Sequence, residues 1–421
     1  MRYAISSETL TLEQLESEVR KAGGREIRRA PLVGQLFSEL TSEQKDTLSH
    51  IPGIRVRGLK SFQVEQITVP QVTTQAPLAP LAFDLPDVFY QLRNYLMPPL
   101  TGAGLTVALL DTGIRKTHET LQGKVVYEAN FTGSPSCEDV FDHGTSVAYE
   151  IASIVSPGAK LANIKVIDDE GIGTEESVVL GIDEVCALAK GARERGLSPT
   201  DDLYPNVMNL SFGSPDDGDP DNPTRVASRK ASTDYRLDVI VAAVNGGPSL
   251  STITLPACDP ELIAVGAIEK EALAIWERSS RGPTLEGNTK PDFVLWGTNI
   301  NMASAKGDDK YVLKSGTSFS APLLSGLTGL IWETGRRAQG EWWIFKWKEL
   351  EAFAPYFCYK GEDAPVRKDN AWGYGLPAMS LMLRETARAP SPAQQAMQAA
   401  TSMIGLSMLS LMMMGISRAV L

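Results

Sequence analysis

The stretch Gly316-Thr317-Ser318-Phe319-Ser320-Ala321-Pro322 places a serine between a glycine turn and a long run of small or aliphatic residues. That run, which extends to Leu330, predicts a buried helix with Pro322 in its first turn, where a missing backbone N–H costs little. A hydroxyl there lies at the positive end of the helix dipole, which favours negative charge on a substrate carbonyl. Ser318 is therefore a candidate nucleophile, although a serine that only caps the helix would show the same pattern.

A base for this serine must come from the three histidines of the chain, His50, His118 and His143. His143 begins the segment His143-Gly144-Thr145-Ser146-Val147-Ala148, which predicts a second small, apolar helix. For a single histidine, a buried ring satisfied by backbone hydrogen bonds is the ordinary alternative. We choose His143 because of the adjoining glycine and because so few histidines are available.

An acid that could orient the base follows the apolar run at residues 105–110, which ends at Asp111-Thr112-Gly113. The run predicts a buried parallel strand, and functional crevices of open α/β sheets lie outside the carboxyl ends of such strands. Asp-Thr-Gly also occurs in aspartic proteases, which need two such carboxylates, but no second Asp-Thr-Gly or Asp-Ser-Gly is present. An aspartate that caps a turn is the other interpretation of Asp111.

The order Asp111, His143, Ser318 along the chain is the order found in subtilisin. With these three motifs and supporting segments at residues 207–213 and 279–283, the chain resembles the subtilisin-like (subtilase, S8-type) serine proteases over about residues 98–388. The resemblance implies an α/β fold, a three-layer α/β/α architecture around a mostly parallel central sheet. It also implies that Ser318 attacks a carbonyl, His143 transfers the proton and Asp111 holds the imidazole tautomer.

The same resemblance assigns the substrate cleft. The family stabilises the oxyanion with an asparagine side chain and the serine's own N–H, and the matching residue is Asn245, for which a simple turn asparagine is the alternative. The implied substrate-binding residues are Ser211, Phe212, Gly213, Ala243 and Val244. Since the family usually has glycine at the position of Val244, we expect Val244 and Phe212 to narrow the pocket for the residue before the scissile bond. The sequence therefore predicts a preference for small or slim residues there.

No cofactor or metal is predicted. Many subtilases hold a structural calcium through a carboxylate soon after Asp-Thr-Gly and a loop in the helix after His-Gly-Thr. This chain has Thr120 at the first position, and the histidine helix runs directly into Ser156-Pro157-Gly158-Ala159. Calcium takes six to eight oxygen ligands, so we expect this site to be absent. The acidic run at residues 216–221 is either a cation-attracting or a solvated loop, and no Cys/His cluster has zinc-ligand spacing.

Residues 1–66 show a different pattern, in which short strands alternate with two helices that each begin with a capping box, Thr11 with Gln14 and Thr41 with Gln44. This module resembles the family's inhibitor-type propeptide, a small ferredoxin-like α+β domain; an unrelated α+β interaction domain is the alternative. A propeptide would add a strand beside the substrate-binding edge and act as an intramolecular inhibitor. We expect autoprocessing between about Val64 and Pro80.

We divide the chain into a propeptide-like domain (1–66), a linker with the processing site (67–97), a catalytic domain (98–388) and a linker with a hydrophobic C-terminal tail (389–421). The net charge of −11 disfavours nucleic acid as a partner. The N-terminus lacks the apolar region of a secretory signal peptide. Residues 399–417 are uncharged and about long enough to span a bilayer, or to pack on a membrane surface or partner protein. We therefore expect a cytoplasmic or membrane-associated protein.

These observations favour a serine endopeptidase made as a zymogen, with peptides or proteins as substrates. A transpeptidase or macrocyclase would use the same acyl-enzyme with an amine in place of water. A catalytically silent binding protein on the same fold is the third interpretation, which the intact candidate residues disfavour.

Overall fold

The computed structural model describes residues 1–64, 67–73, 85–270, 272–340, 345–351, 354–361 and 364–387. Its strands are, in chain order, β1 (Arg2–Ser7), β2 (Arg25–Ala30), β3 (Gln35–Glu39), β4 (Ile54–Gly58), β5 (Ser61–Gln63), β6 (Ile67–Thr73), β7 (Thr106–Asp111), β8 (Val125–Asn130), β9 (Lys160–Lys165), β10 (Ile172–Thr174), β11 (Val207–Leu210), β12 (Asp238–Ala242), β13 (Ile263–Ile268), β14 (Phe293–Trp296), β15 (Ile300–Ala303), β16 (Tyr311–Ser315), β17 (Cys358–Tyr359) and β18 (Leu376–Pro377).

The α-helices are α1 (Leu12–Lys21), α2 (Ser42–Ser49), α3 (Leu85–Arg93), α4 (Gly144–Tyr149), α5 (Glu175–Glu194), α6 (Pro223–Thr233), α7 (Ala321–Gln339), α8 (Trp347–Leu350) and α9 (Met379–Ala387). A π-helical turn, Glu150–Val155, continues α4, and 3₁₀ turns lie at Thr317–Phe319 and Ala354–Tyr356. None of the helices in these described ranges is both long and apolar enough to cross a membrane. The C-terminal tail, residues 389–421, lies outside them.

The N-terminal module is a four-stranded antiparallel sheet in the order β2-β3-β1-β4, with α1 and α2 in the connections. This β-α-β-β-α-β order is the ferredoxin-like arrangement. Both predicted capping boxes are formed, each satisfying two N–H groups at the start of its helix. Leu15 and Val19 of α1 and Leu48 of α2 share a small buried core with Tyr3 and Ile5 of β1.

The large sheet contains seven strands in the order β14-β13-β12-β11-β7-β9-β8, and every neighbouring pair is parallel. This confirms the predicted parallel central sheet. The chain forms β7, β8 and β9 first, and β9 and β8 lie on one side of β7. Strands β11 to β14 follow on the other side of β7. The topological switch point therefore lies between β7 and β11. Asp111 is the last residue of β7 and lies at this switch point, where open α/β sheets bind their ligands.

Helices cover both faces of the sheet, as the predicted three-layer architecture requires. Along β7, Val107 and Leu109 pack into the cluster that contains α7 and the α4 segment, whereas Ala108 and Leu110 pack into the cluster that contains α5. Successive side chains of a strand point to opposite faces, and a strand buried on both faces reads as a continuous apolar run. This explains the uninterrupted apolar sequence before Asp111.

The module docks on α5 and α6, with which Val33 and Phe37 share a buried apolar cluster, and polar contacts add to this interface. Asp183 of α5 accepts hydrogen bonds from the N–H groups of Leu32 and Val33 at 2.7 and 2.9 Å. Lys230 of α6 donates to the carbonyl oxygen of Val33 at 3.0 Å. At the first turn of α5, Arg2 forms an ion pair with Glu176.

The acidic run at residues 216–221 is part of the same interface. Arg57 donates to Asp217 at 2.8 Å and also pairs with Asp219, and Arg55 pairs with Asp221. Three carboxylates of this run, which the sequence left as either a cation-attracting or a solvated loop, therefore face guanidinium groups of the N-terminal module.

Candidate active site

Asp111 and His143 form a buried hydrogen-bonded pair. The distance from His143 Nδ1 to Asp111 Oδ1 is 2.8 Å, and the two side chains are 0% and 1% exposed. The backbone N–H of Thr112 also donates to Oδ1, at 2.7 Å, which fixes the carboxylate relative to its own strand. With Nδ1–H donating to Asp111, the neutral imidazole carries its lone pair on Nε2. Within the described part of the chain, Nε2 has no hydrogen-bond partner.

A second buried carboxylate, Asp139, shapes the turn that presents His143. Asp139 accepts hydrogen bonds from the N–H groups of Asp142 and Thr145 at 2.8 and 2.9 Å, and from the hydroxyl of Thr112 at 2.8 Å. These bonds tie the start of α4 to the end of β7. Asp139 was not found from the sequence, because a capping signal is expected at the residue directly before a helix and Asp139 lies four residues before His143.

Gly144 allows the two segments to approach each other. A Cβ atom on Gly144 would lie 2.2 Å from the carbonyl oxygen of Gly113 and 3.1 Å from Asp111 Oδ1. Glycine is therefore required directly after His143, which gives a steric reason for the His-Gly pair in the sequence.

A buried lysine supports the same turn from the opposite side. Lys314 of β16 is fully buried, and its ammonium donates to the carbonyl oxygen of Asp142, with Asp142 Oδ2 at 3.5 Å. Burial lowers the pKa of Lys314. No sequence pattern indicates this role, because Lys314 is distant along the chain and lies in an ordinary strand pattern.

Ser318 lies in the 3₁₀ turn immediately before α7 and is 3% exposed. Helix α7 begins later than the sequence predicted, at Ala321, so that Ser320 rather than Ser318 is its N-cap residue. The Ser318 hydroxyl donates to the carbonyl oxygen of Ser211 at 3.0 Å. Because it makes no capping bond, the interpretation of Ser318 as a simple helix cap loses its basis.

The serine turn lies beside the imidazole, since the ring centroids of His143 and Phe319 are 5.5 Å apart. The Ser318 hydroxyl bonds to Ser211 rather than to His143 in this state. Catalytic hydrogen bonds are often loose before substrate binds and tighten in the reacting complex. The end of β7, the residue before α4 and the 3₁₀ turn before α7 thus bring Asp111, His143 and Ser318 to the same end of the sheet.

Asn245 is anchored to the same turn. Its Oδ1 accepts from the N–H and the hydroxyl of Thr317 at 2.9 and 3.1 Å. These two bonds fix the orientation of the amide, with Nδ2 at 3.6 Å from the position of a Cβ atom on Gly316. The predicted oxyanion residue therefore holds an N–H₂ group beside the turn that carries Ser318.

The candidate substrate edge is occupied by a strand from the same chain. Strand β5 pairs antiparallel with β10, and on its other side Gln63 and Gly213 exchange two backbone hydrogen bonds at 3.2 and 3.4 Å. Phe62 is fully buried and stacks edge-to-face on Phe212 with ring centroids 5.7 Å apart. The segment 211–213, which the sequence assigned to substrate binding, thus already binds an extended peptide.

Residues 102–353 match the sequence model of the Peptidase S8 family, the subtilase family. The chain belongs to this family. It is 30% identical over 266 residues to serine protease AprX of Bacillus subtilis, covering 55% of this chain and 58% of that protein. It is also 30% identical to subtilisin BL of Lederbergia lenta, over 55% of this chain and 77% of that protein. Mouse membrane-bound transcription factor site-1 protease is 30% identical over 60% of this chain and 22% of its own length.

In this subtilase, the side chains of Val244 and Phe212 contact different parts of the candidate substrate edge. Val244 Cγ1 is 2.7 Å from the position that a Cβ atom would take on Gly213, whereas Phe212 packs on Phe62. Ala243 is buried and donates to the carbonyl oxygen of Val265 at 2.9 Å. Val244 has a φ of 65°, a left-handed conformation that costs a branched L-residue about 1–2 kcal/mol. The Val244 side chain, which lies beside Gly213, is therefore held at a conformational cost.

We expect Val244→Gly to widen substrate selectivity without loss of stability, because it removes both the side chain and the strain. The kcat/KM for a peptide with phenylalanine before the scissile bond should rise roughly 10- to 200-fold relative to the matching alanine peptide. Val244→Ala, which keeps a Cβ atom, is the control and should give a smaller rise. Equal cleavage of the phenylalanine and alanine peptides by the wild-type protein would contradict the narrowed pocket.

Proposed function

We propose that this subtilase is a serine endopeptidase that hydrolyses peptide bonds through an acyl-enzyme on Ser318. The observation that supports the proposal best is the buried hydrogen bond between Asp111 and His143 Nδ1, because it leaves Nε2 as the proton acceptor beside the serine turn. Ser318 Oγ attacks the substrate carbonyl as its proton moves to Nε2, and His143 then gives that proton to the leaving amine. Water reverses these steps to release the acid.

Asn245 and the backbone N–H of Ser318 are the proposed oxyanion donors. Thr317 holds the Asn245 amide through Oδ1, so the donor N–H₂ group needs no rearrangement when charge develops on the substrate oxygen. Neither the transpeptidase nor the silent binding protein has a specific observation in its favour.

We further propose that the N-terminal module is an inhibitor that the protease removes from its own chain. Strand β5 lies on the candidate substrate edge, and Ser318 is almost fully covered. An inhibitor that adds a strand to a substrate-binding edge uses the same backbone hydrogen bonds as a substrate. Much of the predicted processing range between Val64 and Pro80 lies outside the described residues.

We also propose that this chain lacks the calcium site that many members of the family have. At the position where the family carries a ligand carboxylate, the hydroxyl of Thr120 lies 2.9 Å from His118 Nδ1, and His118 Nε2 lies 3.0 Å from the carbonyl oxygen of Lys310. A hydroxyl bonded to a histidine thus takes the place of that carboxylate.

The serine assignment can be tested with a fluorophosphonate probe on protein that has been allowed to process itself. We expect the probe to label the wild-type protein and to leave Ser318→Ala unlabelled, because the probe needs an activated hydroxyl. Ser320→Ala, two residues along in the same motif, should retain the label. Labelling of Ser318→Ala at an equal rate would contradict the assignment.

Asn245→Ala should lower kcat by about 100- to 1000-fold with a smaller change in KM, the range known for this donor in subtilisin itself. Steady-state kinetics on a peptide substrate measure both constants. An unchanged kcat would remove Asn245 from the oxyanion hole.

Chelation should leave the enzyme unaffected if the calcium site is absent. We expect EGTA to change neither the hydrolysis rate of the wild-type protein nor the thermal midpoint of Ser318→Ala, a variant that prevents self-digestion. A lower midpoint in EGTA that added calcium restores would show that a calcium site exists.

Docking of the module should weaken as pH rises through about 6. Burial raises the pKa of Asp183 to about 6 from its ordinary value of 3.8, so the docked state favours the protonated carboxyl. The contribution of Asp183 to docking is complete below its ordinary pKa. It is lost as the pH rises through its raised pKa. Inhibition of the processed enzyme by added module, measured from pH 4 to 7.5, should show this loss.

Asp183→Asn is the matched test of that pH dependence. Asparagine keeps an acceptor oxygen for Leu32 and Val33 but carries no charge, so inhibition should lose this pH dependence. Asp46→Asn, at an exposed position of the module, should behave like the wild type. An unchanged pH profile in Asp183→Asn would rule out Asp183 as the titrating group.

A further inference from the structure

Glu150 is a fully buried carboxyl group that the proposed reaction does not use. It is the first residue of the π-helical turn that continues α4. Its side chain is 0% exposed, and neither carboxyl oxygen has a hydrogen-bond partner among the described residues. An ionised carboxyl in such surroundings is strongly disfavoured, so a group of this kind keeps its proton. Burial accordingly raises the pKa of Glu150 well above its ordinary value of 4.5.

Two faces of the π-helical turn are occupied by other parts of the catalytic domain. On one face, Ser153 donates to the carbonyl oxygen of Thr120 at 2.9 Å. On another face the turn meets α7, because a Cβ atom on Gly326 would lie 2.7 Å from Val155 Cβ and 3.3 Å from the carbonyl oxygen of Ile151. Residues four apart on a helix share a face, so Glu150 lies with Ile154 on neither of these.

Helix α3 packs against the same turn. Its buried residues Leu85, Phe89 and Leu92 recur at the spacing of one helical face and share an apolar cluster with Ile154. The face that carries Glu150 and Ile154 is therefore the one left for α3. Without α3, Glu150 would be accessible to water.

Arg93 fixes the end of α3 to the end of the turn. Its guanidinium donates to the carbonyl oxygen of Ile154, with the carbonyl oxygen of Val155 at 3.4 Å. A cation at the last carbonyls of a helix is favourable, because those groups have no partner within the helix. The contact between α3 and the turn thus combines an apolar face, one charged hydrogen bond and a buried, unpartnered carboxyl group.

We propose that Glu150 is a pH-sensitive switch for the docking of α3. Helix α3 stays on the π-helical turn while the Glu150 carboxyl is neutral. When that carboxyl releases its proton to solvent, α3 separates and water solvates the carboxylate. Because α4 begins directly after His143, the switch acts on the helix that presents the candidate base. The inference does not depend on the proposed acyl-enzyme.

The direction of the pH dependence follows from the burial. Since docking raises the pKa of Glu150, its contribution to docking is complete below 4.5 and is lost as the pH rises through the raised value. Burial is the cause of this rise, and no neighbouring charge opposes it. The other titratable groups on the turn and on the elements packed against it are Tyr149, Tyr311, Asp87, Tyr90, Arg93, Glu333, Arg336 and Arg337.

Hydrogen exchange of the full-length Ser318→Ala protein from pH 5 to 8, corrected for the intrinsic effect of pH on exchange, tests the proposal. A nine-residue helix is not stable alone in water, so the α3 amides lose protection when the helix is released. We expect their protection to fall with rising pH, by up to about tenfold per pH unit, while the central sheet keeps its protection. Protection of α3 that does not change with pH overturns the proposal, as does an equal fall in the sheet.

Three variants in the Ser318→Ala background assign the effect to one carboxyl group. Glu150→Gln keeps the shape but cannot ionise, so the protection of α3 should no longer depend on pH. Glu150→Leu removes the polar atoms as well and should give the same result if the buried amide prevents Glu150→Gln from folding. Asp87→Asn, at an exposed position of α3, should keep the wild-type dependence. A fall of the wild-type size in Glu150→Gln or Glu150→Leu overturns the proposal.

Discussion

The hydrogen bond between Asp111 and His143 is the constraint around which this end of the sheet is organised. A carboxylate buried to 1% exposure is costly unless it is hydrogen-bonded. Asp111 Oδ1 receives both the imidazole N–H and a backbone N–H, whereas Oδ2 has no hydrogen-bond partner among the described residues. To bring the imidazole so close, α4 must begin against the end of β7, which only a glycine at position 144 permits. Asp139 and Lys314 then hold the turn between them. Backbone geometry, burial and charge thus combine to hold one proton-accepting nitrogen in place.

Much of this site could be predicted from sequence, because its residues sit at the ends of regular elements with local signatures. The apolar run before Asp111, the His-Gly pair and the glycine before Thr317-Ser318 each have a local physical cause. The start of α7 was predicted a few residues too early, because a 3₁₀ turn and an α-helix share the same small, apolar composition. That difference separates Ser318 from the capping position and is therefore informative about its role.

Other features depend on contacts between distant segments and could not be predicted. Arg55 and Arg57 on one side and the acidic run at residues 216–221 on the other are ordinary charged surface sequences until the module docks. The direction of the Phe212 side chain, by contrast, could have been predicted from the sequence. Successive residues of an extended segment point to opposite sides, so Phe212 and Gly213 are not expected to line the same pocket.

The module belongs to the same chain as the site it covers, and this affects kinetics as well as inhibition. A tethered strand is present at an effective concentration that does not change when the protein is diluted. If the protease removes its own module, the first cleavage would follow first-order kinetics. Each chain would then mature at a rate that does not depend on the protein concentration. Every later cleavage requires a diffusional encounter with a peptide that must displace β5. The rate of maturation would then depend on folding and chemistry within a single molecule. Only the rate of turnover would depend on the concentration of substrate.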